Sequence, residues 1–525
     1  MLKQISREHK VRKFHQAKWD EPIIFELHQE GERGVILPSV EQEIVDLIGD
    51  GLSIIPEGMR RTDKANLPEI SQNRVLRHYL RLSQETLGAG VNVEIGQGTC
   101  TVKYSPIINE VFASSPKMTE LHPLQDDETV QGMLEVTHNL DMYMREISGM
   151  DCFSFQPGSG TQALFAMASI VRKYHESNGE ADQRDEIITT IFSHPSQAAT
   201  AAVKGYKIIT LYPDENGFPD IEKLKKVVSK RTAGFVVANP EDTGIFNPKI
   251  KEFTQIVHDV GGICYYDQAN ANGLLGIARA KEAGFDMCFF NLHKTFSTPH
   301  ASGGPAAGAL GVIEKLKPFL PAPLVEFDGE KYRLNYNLSN SIGQVRSFHG
   351  VPQNVLRAYA WIRGLGAKGL RDVAEIAVLN NNYLYAQILK IKGASSPYIE
   401  GQRLEQVRYS WEQLTKETGV TTDDISRRMA DFGHQYWTSH HPYVVPEPFT
   451  LEPTESYSKQ DLDEYISSLT YIANEAYTDP EKVKSAPHNS TIHRIVDEDW
   501  FENPEKWCLT WRLYLKKTGK VTIDI

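Results

Sequence analysis

The chain has 525 residues, of which 40% are hydrophobic and 24% charged, so it can bury a large core and form more than one domain. Its 56 lysines and arginines against 68 aspartates and glutamates give a net charge of -12, and without any consecutive basic block this argues against a nucleic-acid partner. The sequence has neither a secretory signal nor an apolar run of about 18 residues, so we expect no membrane segment.

The predicted elements begin with residues 1–112, which mix helical segments with loops and are expected to form an N-terminal arm and helical segment. From about residue 113 to 345, short apolar runs alternate with stretches of helical periodicity. Six of the runs are predicted strands: “DCFSFQ”, “EIITTIF”, “YKIITLY”, “AGFVVANP”, “GGICYYD” and “FDMCFF”. This alternation predicts a large α/β domain whose mostly parallel sheet is covered on both faces.

Helices are predicted between these strands where apolar residues recur at helical spacing. They are “TQALFAMASIVRKYH”, “DIEKLKKVV”, with Asp220 as its N-cap, and “KEFTQIVHDV”. Residues 346–525 are expected to form a smaller α+β C-terminal domain. It begins with a long helical stretch that “GLG” and “KGL” break into two helices.

An anion-binding turn is predicted where the first of the strands ends. The sequence Gly158-Ser159-Gly160-Thr161 follows that strand and opens a helix, so its backbone N–H groups and hydroxyls can bind a phosphate. The turn matches neither GxxxxGK[ST] nor GxGxxG, which argues against a nucleotide. An ordinary strand-to-helix turn is the alternative interpretation.

Two charged side chains follow other strands of the same sheet. Asp267 ends “GGICYYD”, where a buried carboxylate needs a cation or several hydrogen bonds. Lys294 follows “FDMCFF” directly after His293. Alone, Asp267 could cap a turn, and Lys294 could bury its stem while its amine reaches water. Because ligands bind beyond the carboxyl ends of such strands, we expect both near the phosphate turn.

One cofactor uses all three features. Pyridoxal 5'-phosphate needs an anion site for its phosphate, a carboxylate facing its pyridine nitrogen and a lysine that forms a Schiff base with its aldehyde. The order of turn, aspartate and lysine is typical of the aspartate-aminotransferase fold, known as fold type I. His194 stands where that fold stacks an aromatic ring or imidazole on the cofactor, although it could also be a solvated loop histidine.

The sequence also resembles one family in particular. “NLHKTFSTPH”, “YYDQAN”, “HPLQDDETVQGMLEV”, “GTCTVKYSP” and “LEPTESYSKQDLD” look like segments of the P-proteins, the pyridoxal-phosphate subunits of glycine decarboxylase in the glycine cleavage system. The resemblance covers roughly residues 77–494. The chain is about half as long as a fused P-protein, so it resembles the second subunit of the two-chain form, which carries the lysine.

This resemblance implies an enzyme that decarboxylates glycine and transfers the aminomethyl group to the lipoyl arm of the H-protein. It implies catalytic roles for Lys294, Asp267, His194 and His300. Cofactor binding would involve Lys294, Asp267, His194, His293, Ser159, Gly160 and Thr161. The implied partners are a first subunit and the lipoylated H-protein, in a heteromer or, failing that, a homodimer.

Some loops depart from the family pattern. The family typically has “QPAAGAQGE” where this chain has “QPGSGTQAL”, “SAHGTNPA” where it has “SHPSQAA”, “YYDGAN” where it has “YYDQAN”, and “HGGGGPG” where it has “HASGGPA”. His194, Asp267, His293 and Lys294 match. A stand-alone fold type I enzyme (decarboxylase, aldolase or aminotransferase) that acts on another amino acid without a lipoyl carrier is therefore the main alternative. A structural or regulatory subunit is a lesser one.

Metal binding and disulfides are not expected. The five cysteines are scattered without CxxC spacing, which fits a cytoplasmic, reducing compartment. His434, His440 and His441 lie in “GHQYWTSHHPYVVP”, but no Asp, Glu or Cys stands at ligand spacing beside them.

Overall fold

The computed structural model describes residues 11–19, 21–49, 51–61, 66–87, 92–96, 100–300, 306–398, 401–438, 444–490 and 510–520. The chain divides into two compact units. The larger comprises Met1–Lys13 and Gly88–Ala486, and the smaller comprises Phe14–Leu87 and Pro487–Ile525. The three-part division at residues 112 and 345 stays a prediction.

Eleven strands are found in the described residues, all in the larger unit. They are β1 (Cys152–Ser154), β2 (Glu186–Thr190), β3 (Lys207–Leu211), β4 (Thr232–Ala238), β5 (Ile263–Gln268), β6 (Met287–Asn291), β7 (Gly308–Val312), β8 (Leu324–Phe327), β9 (Tyr332–Asn335), β10 (Val407–Ser410) and β11 (Pro448–Leu451). The first seven form one sheet in the order β1-β7-β6-β5-β4-β2-β3. Only β7 in this sheet is antiparallel to its neighbours, so the predicted mostly parallel sheet is confirmed.

Strand β7 was not predicted, whereas the six predicted runs all form strands. Its sequence, “GALGV”, lacks the bulky β-branched and aromatic side chains that indicate a strand. Gly311 pairs with Phe153 of β1, and a Cβ on Gly311 would lie 2.3 Å from Phe153 Cζ. The small residues therefore make room for an aromatic ring from the neighbouring strand.

The helices of the described residues are α1 (Gln42–Ile48), α2 (Gln72–Gln84), α3 (Ile107–Ala113), α4 (Pro116–Thr119), α5 (Gln131–Ser148), α6 (Gly160–Ser177), α7 (Pro195–Val203), α8 (Ile221–Val227), α9 (Ile250–His258), α10 (Pro352–Ile388), α11 (Glu412–Thr418), α12 (Thr422–Ala430), α13 (Lys459–Thr478), α14 (Pro480–Lys484) and α15 (Trp511–Lys517). Short 3-10 helices lie at Ile24–Leu27, Glu57–Met59, Asp127–Thr129 and Glu314–Phe319. Asp220 caps α8 as predicted. Within the described residues, no helix has both the length and the apolar character that crossing a bilayer requires.

Helices cover both faces of the sheet. Side chains along a strand alternate between two apolar clusters: Tyr265 of β5 packs with residues of α6, whereas Tyr266 packs with residues of α5, α9 and α10. This two-sided burial explains why the parallel strands read as nearly continuous apolar runs. It also leaves the carboxyl edge of the sheet as the place where polar side chains collect.

The C-terminal part of the larger unit has its own small α+β core, as predicted. Strands β10 and β11 are antiparallel, and helices α11 to α14 pack around them together with the end of α10. Phe449 stacks between Tyr409 and Trp411, with ring centroids 4.9 Å and 5.1 Å away. Farther upstream, β8 and β9 form a separate antiparallel pair.

Helix α10 contains one break, which divides it into two helical parts as predicted. Gly366 has φ 65° and ψ -179°, so the helix is interrupted within “GLG”, as predicted. Gly369 of “KGL” stays helical, so the predicted contribution of that segment is wrong. A glycine can remain within a helix when no left-handed backbone is required.

The described residues of the smaller unit form the helices α1, α2 and α15, two short 3-10 helices and a small aromatic cluster. Phe25 packs against Trp511, Tyr514 and Leu515 of α15. Trp511 and Tyr514 stack with their ring centroids 5.4 Å apart. The described residues of this unit contain no strand.

Candidate active site

A cavity of ≈ 290 Å³ lies at the carboxyl edge of the seven-stranded sheet. Its walls come from the segments that follow β1, β2, β4, β5 and β6, which are residues 159–161, 192–196, 238–242, 267–270 and 291–294, with Cys100, His300, Glu405 and Gln406 added from elsewhere. These strands run in one direction, so their carboxyl ends meet at the same edge. All eight residues of the predicted site line this cavity: Ser159, Gly160, Thr161, His194, Asp267, His293, Lys294 and His300.

The predicted phosphate turn is the start of α6. Ser159 is the N-cap, and its hydroxyl accepts a hydrogen bond from the Gln162 N–H at 3.1 Å. A Cβ on Gly160 would lie 2.7 Å from Asn291 Oδ1, so only glycine lets the helix start this close to the end of β6. The first turn of a helix has backbone N–H groups without helical partners. The N–H groups in the first turn of α6 lie at the cavity, where they can bind an anion.

Asp267 is buried at the end of β5. Its two carboxylate oxygens accept hydrogen bonds from the Ala269 N–H at 3.0 Å and from the Gln197 side-chain amide at 2.8 Å. Burial raises the pKa of Asp267 above its usual value, while these hydrogen bonds and the nearby Lys294 act in the opposite direction. A cationic ring nitrogen in the cavity would favour the ionised carboxylate further.

Gln197 is a site residue that the sequence did not single out. It is buried in α7, donates to Asp267 and accepts a hydrogen bond from Thr189 Oγ1 at 3.0 Å. When “HPSQAA” is aligned on its histidine with the family's “HGTNPA”, Gln197 takes the place of an asparagine. The departure in this loop therefore keeps an amide beside the aspartate.

His194 is the N-cap of α7, and its exposed side chain lines the cavity. Its Nδ1 accepts a hydrogen bond from the Ser196 N–H at 3.2 Å, and Ser196 Oγ lies 2.6 Å from the same atom. Since Nδ1 accepts, the ring proton is on Nε2. Both contacts restrain the imidazole on the cavity wall, where a planar ligand could stack on it.

Lys294, His293 and His300 follow β6 and line the cavity. Lys294 is buried within electrostatic reach of Asp267. His293 Nδ1 lies 3.1 Å from the Ala307 carbonyl oxygen, and its ring centroid is 5.2 Å from that of His300. Burial, and then the charge of Lys294, lower the pKa of His293 to about 3 and that of His300 to about 4. Both imidazoles are therefore neutral near pH 7.

Two buried acidic residues, Glu241 and Asp242, lie in the segment after β4. Glu241 accepts a hydrogen bond from the Thr190 hydroxyl, and burial raises its pKa to about 8. Asp242 lines the cavity and forms a buried ion pair with Arg408 of β10. No local motif marks Arg408, because its partner lies 166 residues away in the sequence.

The histidines considered as metal ligands lie elsewhere or are not described. His434 is buried, and its Nε2 lies 3.1 Å from Ser468 Oγ. His440 and His441, like most of “HASGGPA”, lie outside the described residues. His258, Cys264 and Asp286 do converge, but Asp286 binds Lys315 at 3.0 Å and accepts from the Cys264 N–H at 2.8 Å. That cluster is explained as a hydrogen-bonded ion pair within the fold.

Two protein families match parts of the chain. The class-V aminotransferase family matches residues 158–313, which contain β2 to β7 and most of the cavity wall. The family described as the glycine dehydrogenase C-terminal domain matches residues 373–494.

Solved structures show the same fold. A crystal structure of glycine decarboxylase (P-protein) of the glycine cleavage system, in inhibitor-bound form, covers 83% of this chain and 100% of its own, with a TM-score of 0.69 at 19% identity. A NifS-like protein covers 73% of this chain with a TM-score of 0.56 at 14% identity. The predicted aspartate-aminotransferase-like architecture is confirmed by these similarities.

Relatives of similar length match far more closely in sequence. A protein of Pyrococcus furiosus named “Probable glycine dehydrogenase (decarboxylating) subunit 2” is 44% identical over 513 residues, which are 97% of this chain and 99% of the relative. A protein of the same name from Thermococcus gammatolerans is also 44% identical, over 97% of this chain and 100% of the relative. The resemblance seen in the motifs extends over both chains nearly end to end, and the chain belongs to the family of glycine dehydrogenase (decarboxylating) subunit 2.

Proposed function

We propose that the chain is the pyridoxal-phosphate subunit of a glycine decarboxylase. In this proposal it removes carbon dioxide from glycine and transfers the aminomethyl group to the lipoyl arm of a carrier, the H-protein, together with a first subunit. The observation that carries the proposal is the convergence in one cavity of an anion-binding helix start, a buried carboxylate and a buried lysine, Lys294. The family supports the choice of glycine.

The residues present fit pyridoxal 5'-phosphate. The start of α6, with Ser159, Gly160 and Thr161, would hold the phosphate together with His293. Asp267 would face the ring nitrogen, His194 would stack on the ring, and Lys294 would hold the aldehyde carbon. The fit rests on two observations: a Cβ at position 160 would be blocked by Asn291, and the carboxylate of Asp267 is buried where a cation would stabilise it.

When bound, pyridoxal phosphate supplies an electron sink for the electron pair that remains after carbon dioxide leaves. Asp267 contributes by keeping its negative charge next to the ring nitrogen, which typically shifts the pKa of such a partner by about 1–3 units towards the charged form. Gln197 holds the Asp267 carboxylate in place. The amine of Lys294 would hold the cofactor until glycine binds, and His300, a neutral imidazole, can accept a proton at a ring nitrogen.

If the chain were instead a stand-alone enzyme for another amino acid, the loops that depart from the family pattern should contact that substrate. Gln197, which lies in one of those loops, instead contacts Asp267 on the cofactor side of the cavity. This contact favours the glycine decarboxylase proposal over a changed substrate.

The test is covalent capture on Lys294. The protein loaded with pyridoxal phosphate should absorb visible light, and borohydride should abolish this band and leave the cofactor on a peptide containing Lys294. Lys294→Ala should keep the fold but lose the covalent link, whereas the surface variant Lys207→Ala should keep it. A reduced adduct on another lysine, or none, would contradict the proposal.

A further inference from the structure

One segment of the smaller unit, which the cavity and its chemistry leave unexplained, is exposed along its whole length. Every described residue from 33 to 59 is exposed. The segment contains twelve large apolar side chains, all of them 38–87% exposed, and the most exposed are Ile36, Leu37, Leu47, Ile54 and Met59, at 77–87%. Residues 34–59 therefore form an arm whose apolar side chains face solvent instead of a core.

The base of the arm is held by residues on either side of it. The Gln29 N–H donates to the Glu69 carbonyl oxygen at 3.0 Å, and the Glu69 N–H donates to His28 Nδ1 at 2.8 Å. Arg74 Nη1 forms an ion pair with Glu32 Oε2 at 2.7 Å. The arm therefore leaves the smaller unit and rejoins it at one place, so it is presented from a fixed base.

Helix α1 gives the arm an apolar face. Ile44, Leu47 and Ile48 recur at spacings of three and four residues, so they lie on one side of the helix. On the other side, Gln42 Nε2 donates to Asp46 Oδ1 at 2.7 Å. None of the 7 residues of α1 is buried. A helix this short is marginal in water by itself, so its apolar face is suited to packing against another surface.

The apolar area of the arm is as large as that of an interface. An exposed methyl or methylene group presents roughly 30 Å², so the twelve side chains offer on the order of 1,000 Å². The largest apolar patch on a typical monomer is about 300–600 Å², whereas one partner in a standard complex buries about 800 Å². The arm therefore carries enough apolar surface for stable association with another chain.

The charges of the arm restrict the kind of partner. It contains five acidic residues and neither lysine nor arginine; the five are Glu41, Glu43, Asp46, Asp50 and Glu57. Helices that lie on a lipid surface have lysine and arginine on their polar face, so this arm does not fit a membrane. A second copy of this chain has a net charge of -12, which disfavours an acidic arm. The complementary partner is a protein with an apolar groove bordered by basic side chains.

We propose that the arm docks in such a groove on the first subunit of the enzyme. This inference rests on the proposed function, which supplies the first subunit as the partner. Leu47, on the apolar face of α1, and Ile54, in the segment that follows, are buried in the groove. The acidic side chains of the arm meet basic side chains at the border of the groove and orient the arm.

Leu47→Gln and Ile54→Gln test the apolar contact, with Leu379→Gln as the matched control. All three side chains are 69–87% exposed, so the substitutions should not disturb the fold, and Leu379 lies on α10 outside the arm. In titrations of the full-length chain with the first subunit, each test variant should raise the Kd by about 10-fold or more, because an amide replaces an aliphatic side chain that is buried on binding. The control should keep the wild-type Kd.

The double variant Glu43→Lys/Glu57→Lys tests the charges, with Glu252→Lys on α9 as its control. Reversal of two charges should slow association with the first subunit by about 10-fold at low salt, the lower end of what electrostatic steering contributes. The wild-type association rate should fall as the salt concentration rises, and the double variant should lose this dependence. Equal association rates for the double variant and the wild type would overturn the proposed groove.

Limited proteolysis reports on the arm directly. A glutamate-specific protease should cut the free chain after Glu41, Glu43 and Glu57, which are all exposed. The first subunit should protect these three sites in the wild type and in Leu379→Gln. At the same protein concentrations, protection should be lost in Leu47→Gln and Ile54→Gln. Cleavage of the wild-type arm at the same rate with and without bound first subunit would contradict docking.

The outcomes separate this inference from the proposed function. If the first subunit binds the wild type and both apolar test variants equally well, the docking arm is wrong while the proposed function stands. If the test variants lose only self-association in light scattering, the arm lies between copies of this chain, and the inference is again wrong. Borohydride capture on Lys294 does not involve the arm and should succeed in every arm variant, so its failure in the wild type would contradict the proposed function instead.

Discussion

At the scale of single residues, the fold buries ionisable side chains of the candidate site even without a ligand. Asp267 accepts two hydrogen bonds, yet its pKa is still raised by burial. Asp286, equally buried, has a lowered pKa because His258 and Lys315 bind it and outweigh burial. The second aspartate stabilises the fold, whereas the first is placed for a cation that binds in the cavity.

This contrast leads to a prediction for Asp267→Asn. Glycine decarboxylation should fall by about 10- to 1000-fold, because an amide cannot supply the shift of about 1–3 pKa units at the ring nitrogen. Asp286→Asn is the control and should lower the free energy of unfolding in urea. An unchanged decarboxylation rate for Asp267→Asn would mean that the carboxylate only caps its turn.

Glu241 gives a prediction for the pH dependence of stability. Its pKa in the folded protein is raised from 4.5 to about 8, so the folded chain binds more protons than the unfolded chain between these values. The stability associated with neutral Glu241 is complete below about 4.5 and is lost as the pH rises through about 8. In Glu241→Gln the decline of unfolding free energy over this range should therefore be shallower. The exposed variant Glu252→Gln should keep the wild-type slope, and equal slopes for all three proteins would refute the assignment.

At the scale of elements, the starts of helices and ends of strands carry the chemistry, and glycines decide how closely they approach. Gly160 lets α6 start against Asn291 at the end of β6. Gly366 has a different use, because it breaks α10 with a backbone conformation essentially restricted to glycine. The first half of α10 packs with the sheet core and the second half with the C-terminal core.

The break in α10 can be tested with two neighbouring glycines. Gly366→Ala should reduce the free energy of unfolding by about 1–3 kcal/mol, because alanine is strained at this φ and ψ. Gly364→Ala, two residues earlier on the exposed side, should raise it by up to about 1 kcal/mol through helix propensity. Neither added Cβ would meet another atom within 4 Å, so packing does not confuse the comparison. Equal effects in denaturant titrations would show that the break is not required.

At the scale of the whole molecule, the larger unit joins the sheet and the small α+β core around one cavity. Glu405 and Gln406 reach the cavity from the segment before β10, while most of the other lining residues lie at the ends of the sheet strands. Helix α3 presents four neighbouring apolar side chains to the surface, where Ile107, Ile108, Val111 and Phe112 are 46–71% exposed. A surface of this kind is typical of a contact with another chain.

The proposed function predicts that turnover needs other proteins. Exchange of bicarbonate into the carboxyl group of glycine should require the first subunit and a lipoylated carrier, because the aminomethyl group has the lipoyl disulfide as its acceptor. The chain alone should show little exchange, and light scattering should detect a heteromer when the first subunit is added. An unlipoylated carrier is the control. Turnover of another amino acid by the chain alone would instead favour the stand-alone enzyme.

The sequence by itself determined the six parallel strands and the main residues of the candidate site. Apolar runs that end in Asp267 and Lys294 are local signals, and a parallel sheet brings such strand ends to one edge whatever the details of packing. For the same reason Ser159 to Thr161 could be assigned to this edge in advance. Strand β7 escaped prediction because Gly308 and Gly311 give no strand signal on their own.

Only the tertiary structure decided which side chains surround those residues. Gln197 meets Asp267 across 70 positions, Thr101 meets Glu452 across 351, and Asp242 meets Arg408 across 166. The periodicity of apolar residues and the spacing of motifs indicate which residues are close within one helix, strand or turn. Contacts between residues that are 70 or more positions apart therefore leave no pattern in the sequence. Burial is likewise a property of the packed fold, and it is burial that raises the pKa of Glu405 and keeps His293 and His300 neutral.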